Sequence, residues 1–388
     1  MFSSRRKASK YHLLIFLGFV FLFFIYRIYK KNHVIQYPGD QINRDFEKYM
    51  TYYENNYWKK TESKKVLFWT PFFGGWSWYE DAVKILPTCP DKCTASKDQS
   101  EVQSADAILF HANDLWKHRG LIATIYNPSV GLPEWRSPNQ IWGMYSWEPL
   151  MYMWGNTKPN TFNWTLLYRR ESTIYMPFTG YYKLSDEELK NNPNKKEDRN
   201  YFKEKTKFAS TMVSNCVDQA GRYKFLHELN NYIDLDNFGK CSGKYVCPAG
   251  VPTTECGKKH LAIYKFYLAF ENSYCRDYVS EKFWNALDRR QIPVIAAPKY
   301  NLELLPPNSY LNVFDFPTIK DLADRMIEIG SNEELYNSYF EWTKYWRLNG
   351  TSVYCKLCRE LHANRRAQSY ADFEGWLRDD ICYKSNVS

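Results

Sequence analysis

Glu148, Arg222, Glu281 and Lys282 stand where strands should end and helices begin. In residues 266–282, FYLAFENSYCRDYVSEK, an apolar run from Phe266 to Phe270 breaks at Glu271-Asn272-Ser273. The run is long enough for one buried strand and too short for a helix. The Glu-Asn-Ser triplet favours a turn. Ser280 then caps a helix whose inner face is Phe283, Trp284 and Leu287, and a second strand, Ile292 to Ala297, follows. Such β-α-β units bind ligands at the carboxyl ends of their strands. Lys282 falls in the first helical turn, where the helix dipole favours an anion. Arg222 takes the same place in the preceding helix, just after the strand end Ser214-Asn215. Two cations at neighbouring strand ends form a grip for a diphosphate. Glu148, in Trp147-Glu148-Pro149, ends a strand of the other half of the chain and would face that grip across the cleft. Taken singly, a Glu-Lys pair at a helix start is ordinarily solvated and Glu148 is an ordinary loop carboxylate. The combination carries the reading.

Metal chemistry has less support. Asp234-Leu235-Asp236 matches a D-x-D pattern that some glycosyltransferases use for a divalent ion, but it is short and falls in a strand. Cys355-x-x-Cys358 lacks a second ligand pair of the kind zinc requires. In an oxidising compartment it is better read as disulfide-forming, with Cys89 and Cys93 as attractive partners. Cys241, Cys247, Cys256 and Cys275 form a second cluster, whose connectivity spacing leaves open. The chain carries no P-loop, G-x-S-x-G or GxGxxG motif.

The elements that must position these residues alternate along the chain. Strands are expected at Lys65–Trp69, Ala105–Phe110, Gln140–Ser146 and Ile174–Phe178, then at Phe208–Val213, 232–236 and Tyr310–Phe314. Helices are expected over 218–231 and after Thr318, where Thr318 and Asp321 resemble a capping box. Repeated β-α alternation in both halves predicts an α/β fold with two parallel-sheet domains facing one cleft. Residues 63–184 form the first domain, the polar stretch 185–205 a linker, and 206–345 the second domain. Residues 346–388 are expected to pack back on the first domain, with Trp342, Trp346 and Trp376 contributing.

Residues 11–29 are almost wholly apolar and flanked by basic residues. Nineteen residues of helix span about 28 Å, close to the hydrocarbon core. No small-residue cleavage site follows, which argues against a removed signal peptide. The net charge is +9, and residues 1–31 carry seven Lys/Arg without a single Asp or Glu. The remainder is therefore only +2, which gives no argument for a nucleic-acid partner. All ten cysteines follow the apolar run, as do N-x-[ST] sequons at Asn163, Asn349 and Asn386. The economical arrangement is a tail (1–10), a signal-anchor (11–29), a stem (30–62) and a lumenal body: a type II membrane protein of the secretory pathway.

Residues 264–298, YKFYLAFENSYCRDYVSEKFWNALDRRQIPVIAAP, closely resemble the donor-binding signature of the family 10 α1,3/4-fucosyltransferases. VLFWTPFFGG at 66–75, FNWTLLYRRESTIYMPF at 162–178, MVSNCVDQAGRYKF at 212–225, DFPTIKDLA at 315–323 and the Cys355/Cys358 pair follow in the family's order. The resemblance implies a GT-B fold of two Rossmann-like domains, a GDP-fucose donor and an inverting mechanism with no obligatory metal, though Mn2+ or Mg2+ can stimulate. It implies diphosphate binding by Lys282 and Arg222, and ribose and fucose contacts by Asn272, Tyr278 and Glu281. Ser214 and Asn215 end the first donor-domain strand, and Tyr168 and Tyr267 are aromatic contacts in the cleft. The base is implied at Glu148, although the family's E-S-P context reads Glu148-Pro149 here. Glu171 and Thr173 stand where Asp is usual, and Ala297 where Gly is common. The expected function is a Golgi α1,3-fucosyltransferase acting on GlcNAc of glycoprotein or glycolipid glycans. The competing readings are an inactive glycan-binding homologue and another lumenal nucleotide-sugar transferase.

Overall fold

A computed structural model of the chain describes residues 63–117, 131–149, 160–192, 199–216, 220–247, 253–349, 352–363, 370–378 and 382–383. The apolar run 11–29, the stem 30–62 and the sequon at Asn386 lie outside these residues. No helix among the described residues is long and apolar enough to cross a membrane.

Strands β1 (Lys64–Phe68), β2 (Cys93–Ser96), β3 (Ala107–His111), β4 (Ile141–Ser146), β5 (Trp164–Leu167) and β6 (Ile174–Tyr175) form one sheet in the order β2-β1-β3-β4-β5-β6. Every pairing in it is parallel. The all-buried sequences AILFH of β3 and IWGMYS of β4 are what a parallel strand covered on both faces requires. One face packs Trp78 and Ala82 of helix α1 (Ser77–Ile85) with Tyr354, Leu357 and Leu361. The other buries Phe110, Trp142 and Phe162 against Phe373, Leu377 and Tyr278. A short strand β7 (Gly180–Lys183) follows.

The second sheet has the order β13-β12-β10-β8-β9 and is also parallel throughout. Its strands are β8 (Lys207–Met212), β9 (Leu235–Phe238), β10 (Tyr264–Leu268), β12 (Ile292–Ile295) and β13 (Leu311–Asn312), while β11 (Tyr274–Cys275) lies outside it. Helices α2 (Arg222–Leu229) and α4 (Ile319–Ser331) cover one face. Helix α3 (Glu281–Asp288) covers the other, through Phe283, Trp284, Ala286 and Leu287. Burial of each large apolar side chain there is worth about 1.5–3 kcal/mol. The chain returns through β14 (Trp346–Asn349), antiparallel to β7, and helix α5 (Val353–His362). Disulfides Cys89–Cys355 and Cys93–Cys358 staple α5 to the first sheet's side. Strand β15 (Cys382–Tyr383) pairs antiparallel with β11.

Several boundaries differ from the sequence reading. Helix α2 begins at Arg222 because Gly221 precedes it in the left-handed conformation, φ +69°. The strand expected at 232–236 is β9, because Tyr232 and Ile233 still donate their N–H groups to the Leu229 carbonyl as the helix ends. The strand expected to reach Phe314 stops at Asn312, where Val313–Asp315 turns into a 3₁₀ segment. Inside the polar stretch 185–205, Ser185 and Glu188 make a full capping box for a helix over Asp186–Asn191. The Thr318/Asp321 capping box is present with both reciprocal bonds. Of the three tryptophans, only Trp376 packs on the first sheet; Trp342 and Trp346 pack beside Phe283 and Trp284.

Candidate active site

The loop between β10 and α3 builds the centre of the site. Glu271, with a side chain only 12% exposed, accepts the Ser280 N–H at 2.7 Å, the Ser280 hydroxyl at 2.8 Å and the Lys282 ammonium at 3.2 Å. Lys282 Nζ also donates to Ser280 Oγ at 2.8 Å and to Glu281 at 3.3 Å. Burial alone would push the Lys282 ammonium down. Glu271 and then Glu281 outweigh it and hold the group above the ordinary lysine range. Lys282 is thus a preorganised cation at a helix N-terminus.

Glu148 arrives from the first sheet. Its N–H donates to Ser146 Oγ at 3.0 Å, and Ser146 Oγ in turn bonds Asn113 Oδ1 at 3.1 Å. Beside it, Trp147 donates its indole N–H to the Met176 carbonyl at 3.1 Å and stacks on Phe178, with ring centroids 5.4 Å apart. Burial raises the Glu148 carboxyl above the ordinary glutamate range. Lys282 opposes that shift, while Glu281 and Glu271 add to it. The carboxylate ending β4 and the charges opening α3 therefore share one electrostatic environment. Strand ends of two separate sheets meet there. A base with an elevated proton affinity beside a fixed cation can take a proton from a hydroxyl while negative charge grows on a departing phosphate.

Tyr278 joins this group. It is buried, with its ring edge-on to Tyr168 at 4.9 Å and to Phe178 at 5.9 Å. Burial, followed by Glu271, Glu148 and Glu281, raises its phenol far above the ordinary tyrosine value. Tyr168 and Tyr267, expected as cleft contacts, are both buried. Tyr168 is 1% exposed in the first sheet's core. Tyr267 is 3% exposed, with the Arg289 guanidinium 4.7 Å from its ring centroid. Asn272 is buried at the turn. Ser214 and Asn215 are exposed at the end of β8. Arg222, 1% exposed, donates a hydrogen bond to the Asn215 carbonyl, so it shapes that strand end from inside.

Glu271 was legible only as a turn residue, because its partners Ser280 and Lys282 lie nine and eleven positions on. Arg170 and Asp277 lie within the family-like stretches without a role assigned to either, and Asn301 lies outside them, yet all three hold the same loop. Asn301 accepts the Asp277 N–H at 2.7 Å and donates to the Cys275 carbonyl at 2.9 Å.

Other expected sites resolve differently. The second cysteine cluster pairs as Cys216–Cys241 and Cys247–Cys256, while Cys275 leaves it for Cys382. The β11–β15 pairing brings those last two together across 107 positions. Asp236 of the D-x-D pattern is occupied by Lys207 at 2.7 Å and the Tyr264 hydroxyl at 2.6 Å. Those bonds hold its carboxyl below the ordinary range. Cys93, Cys358 and His362 cluster at metal-ligand distance, but the two sulfurs are bonded to each other. Asn163 is 8% exposed and its Oδ1 accepts the Trp142 N–H at 2.9 Å. In the folded chain it is a structural residue, not an exposed glycan acceptor. Asn349 ends β14.

With this geometry in place, the comparisons with known proteins are specific. The profile "Fucosyltransferase, N-terminal" matches residues 61–179, and "Glycosyltransferase family 10 (fucosyltransferase) C-term" matches residues 202–376. Alpha-(1,3)-fucosyltransferase fut-6 of Caenorhabditis elegans is 31% identical over 314 residues, 77% of each chain. Glycoprotein 3-alpha-L-fucosyltransferase A of Drosophila melanogaster is 33% identical over 76% of this chain and 56% of its own length. A crystal structure of an alpha1,3-fucosyltransferase with GDP-fucose shares the fold, with TM-score 0.50 at 18% identity over 84% of this chain and 95% of that one. Two profiles in family order, and relatives that match across both sheets, leave one assignment: the chain belongs to glycosyltransferase family 10, the fucosyltransferases.

Proposed function

We propose that this protein is an inverting α1,3-fucosyltransferase that transfers L-fucose from GDP-fucose to GlcNAc of glycoprotein or glycolipid glycans. The observation that carries the mechanism is Glu148, half-buried beyond β4, with its carboxyl raised above the ordinary range under the influence of Lys282, Glu281 and Glu271. In this reading the two parallel sheets are the halves of a GT-B enzyme, with the donor on the second and the acceptor on the first. The bond between fucose C1 and the diphosphate oxygen breaks, and GDP leaves with the electron pair. The acceptor hydroxyl oxygen bonds to C1 from the opposite face and its proton passes to Glu148. Lys282 and the N-terminus of α3 stabilise the charge on the departing diphosphate, the electrostatic contribution that is often largest. Asn272, Tyr278 and Glu281 line the donor side. Arg222, held at the strand end by its bond to the Asn215 carbonyl, has further guanidinium N–H groups for the diphosphate. The residues present supply both a cation and a base, so no metal is obligatory in this reading; turnover should survive EDTA.

The apolar run 11–29 would anchor the protein in the Golgi membrane as a single-pass type II chain with its body in the lumen. Protease protection in sealed vesicles tests that orientation. The activity is tested with labelled GDP-fucose against an array of GlcNAc-containing glycans. Label incorporated in α1,3 linkage supports the assignment. Nucleotide binding without transfer or hydrolysis would favour the inactive glycan-binding alternative, and turnover of a different nucleotide sugar would replace the donor.

A further inference from the structure

Asp277 lies at the tip of the donor loop in the left-handed region, φ +64°. Its side chain is 2% exposed. A carboxylate so buried is tolerated only when paired and hydrogen-bonded. The carboxylate is held from the other half of the chain: the backbone N–H of Arg170 donates to Oδ2 at 3.0 Å and Nε of Arg170 donates to Oδ1 at 3.0 Å. Arg170 also reaches Glu303, beyond β12, at 3.5 Å. Around it, Arg276 pairs with Glu171 and Tyr168 packs on Tyr278. The turn after β5 thus grips the donor loop residue by residue: Tyr168 on Tyr278, Arg170 on Asp277 and Glu171 on Arg276.

We propose that Arg170 is a positioning residue for the donor: from the first sheet it clamps Asp277, and so fixes the left-handed turn that aims Tyr278 and the start of α3. This rests on the donor reading given above. It adds that the donor pocket is completed by the acceptor-side half of the chain, without Arg170 touching the donor. The backbone N–H bond to Oδ2 survives any substitution at 170, so the side chain contributes the Nε bond to Oδ1 and the reach of Nη1 to Glu303, two directions that a guanidinium serves at once.

The test compares the full-length chain with Arg170→Ala, Arg170→Lys, Asp277→Asn and the Arg170→Ala/Asp277→Asn double variant. Asn tolerates a positive φ as Asp does, so Asp277→Asn removes charge while sparing the turn. For Arg170→Ala we expect a rise in donor KM of about tenfold or more, the scale of a charged hydrogen bond. The KM for the acceptor should barely move, and hydrogen exchange should quicken over residues 271–280. Arg170→Lys should fall between, and the double variant should be no worse than the poorer single one. Unchanged donor KM, losses that multiply in the double variant, or unaltered exchange would each overturn the clamp. If the parent chain does not use GDP-fucose, the donor reading fails. The exchange comparison, made without nucleotide, still decides whether Arg170 orders the loop.

Discussion

Glu271 and Lys282 lie 3.2 Å apart, and the carboxylate holds the charge on the partly buried lysine. Lys282 stays charged although burial opposes it, because Glu271 is its strongest favourable neighbour. That cation also acts on Glu148, where it opposes the rise that burial imposes. Both members of this ion pair on the second sheet's loop therefore act on the Glu148 carboxyl beyond β4.

Replacing Lys282 with Ala should separate these effects from folding. The variant loses the fixed cation and leaves Glu271 with only the Ser280 donors. We expect GDP affinity to fall about ten- to a hundredfold and transfer to fall by at least about 10²–10³-fold. Calorimetric titration with GDP beside a rate assay measures both; GDP binding equal to that of the parent would remove Lys282 from the diphosphate site.

Glu148→Gln should do the reverse, keeping GDP binding near normal while lowering turnover by about 10²–10⁴-fold. The Glu148 carboxyl is held above its ordinary value, so its deprotonation costs folded-state stability. That cost is absent at low pH and appears as pH rises through the raised value. The neutral Gln avoids it, and the variant should melt at or above the parent temperature near neutral pH. An active Glu148→Gln protein would end the base assignment.

The pH profile offers an independent check. A base must be deprotonated to act, so activity should fall on acidification at a pH above the ordinary glutamate range. Glu281 contributes to the Glu148 shift. In the activity that remains, Glu281→Gln should therefore move this acid limb to lower pH. A limb that moves upward, or stays fixed, would contradict the shared environment.

The Cys275–Cys382 bridge ties the donor loop to the C-terminal strand. Replacing both with Ser should cost about 2–5 kcal/mol, the usual range for a native disulfide, and should raise donor KM more than acceptor KM. Thermal melting and steady-state kinetics report the two effects; loss of stability with unchanged donor KM would make the bridge purely structural.

Gly239 is a stricter structural probe. Its φ is +103°, and a Cβ would come within 2.4 Å of the Val213 carbonyl oxygen, behind the end of β8. Backbone cannot yield as a flexible side chain does, so Gly239→Ala should destabilise by roughly 2–3 kcal/mol. A melting temperature equal to the parent's would show that this backbone contact can relax.

How much of this was legible varies with distance along the chain. The Phe266–Phe270 strand, the turn at Glu271 and the Ser280 cap were readable because each depends on neighbours within a few residues. Parallel β-α alternation was readable from the spacing of apolar runs. The Cys89/Cys93 partnership with Cys355/Cys358 followed from matched spacing. Misread features depended on local detail or remote partners. A capping box lay inside a stretch taken as linker, and Cys275 found its partner 107 positions away.

The sequence by itself determined the family, the two-sheet architecture and the residue types able to hold a diphosphate and take a proton. Composition and short-range spacing record those choices directly. Only the tertiary structure decided that Glu148 shares an environment with Glu271, Glu281 and Lys282. Likewise, only folding showed Tyr168 and Tyr267 to be buried and Arg170 to reach across to Asp277. Burial and charge proximity arise when separate strand ends converge, and no local pattern encodes the distance between them.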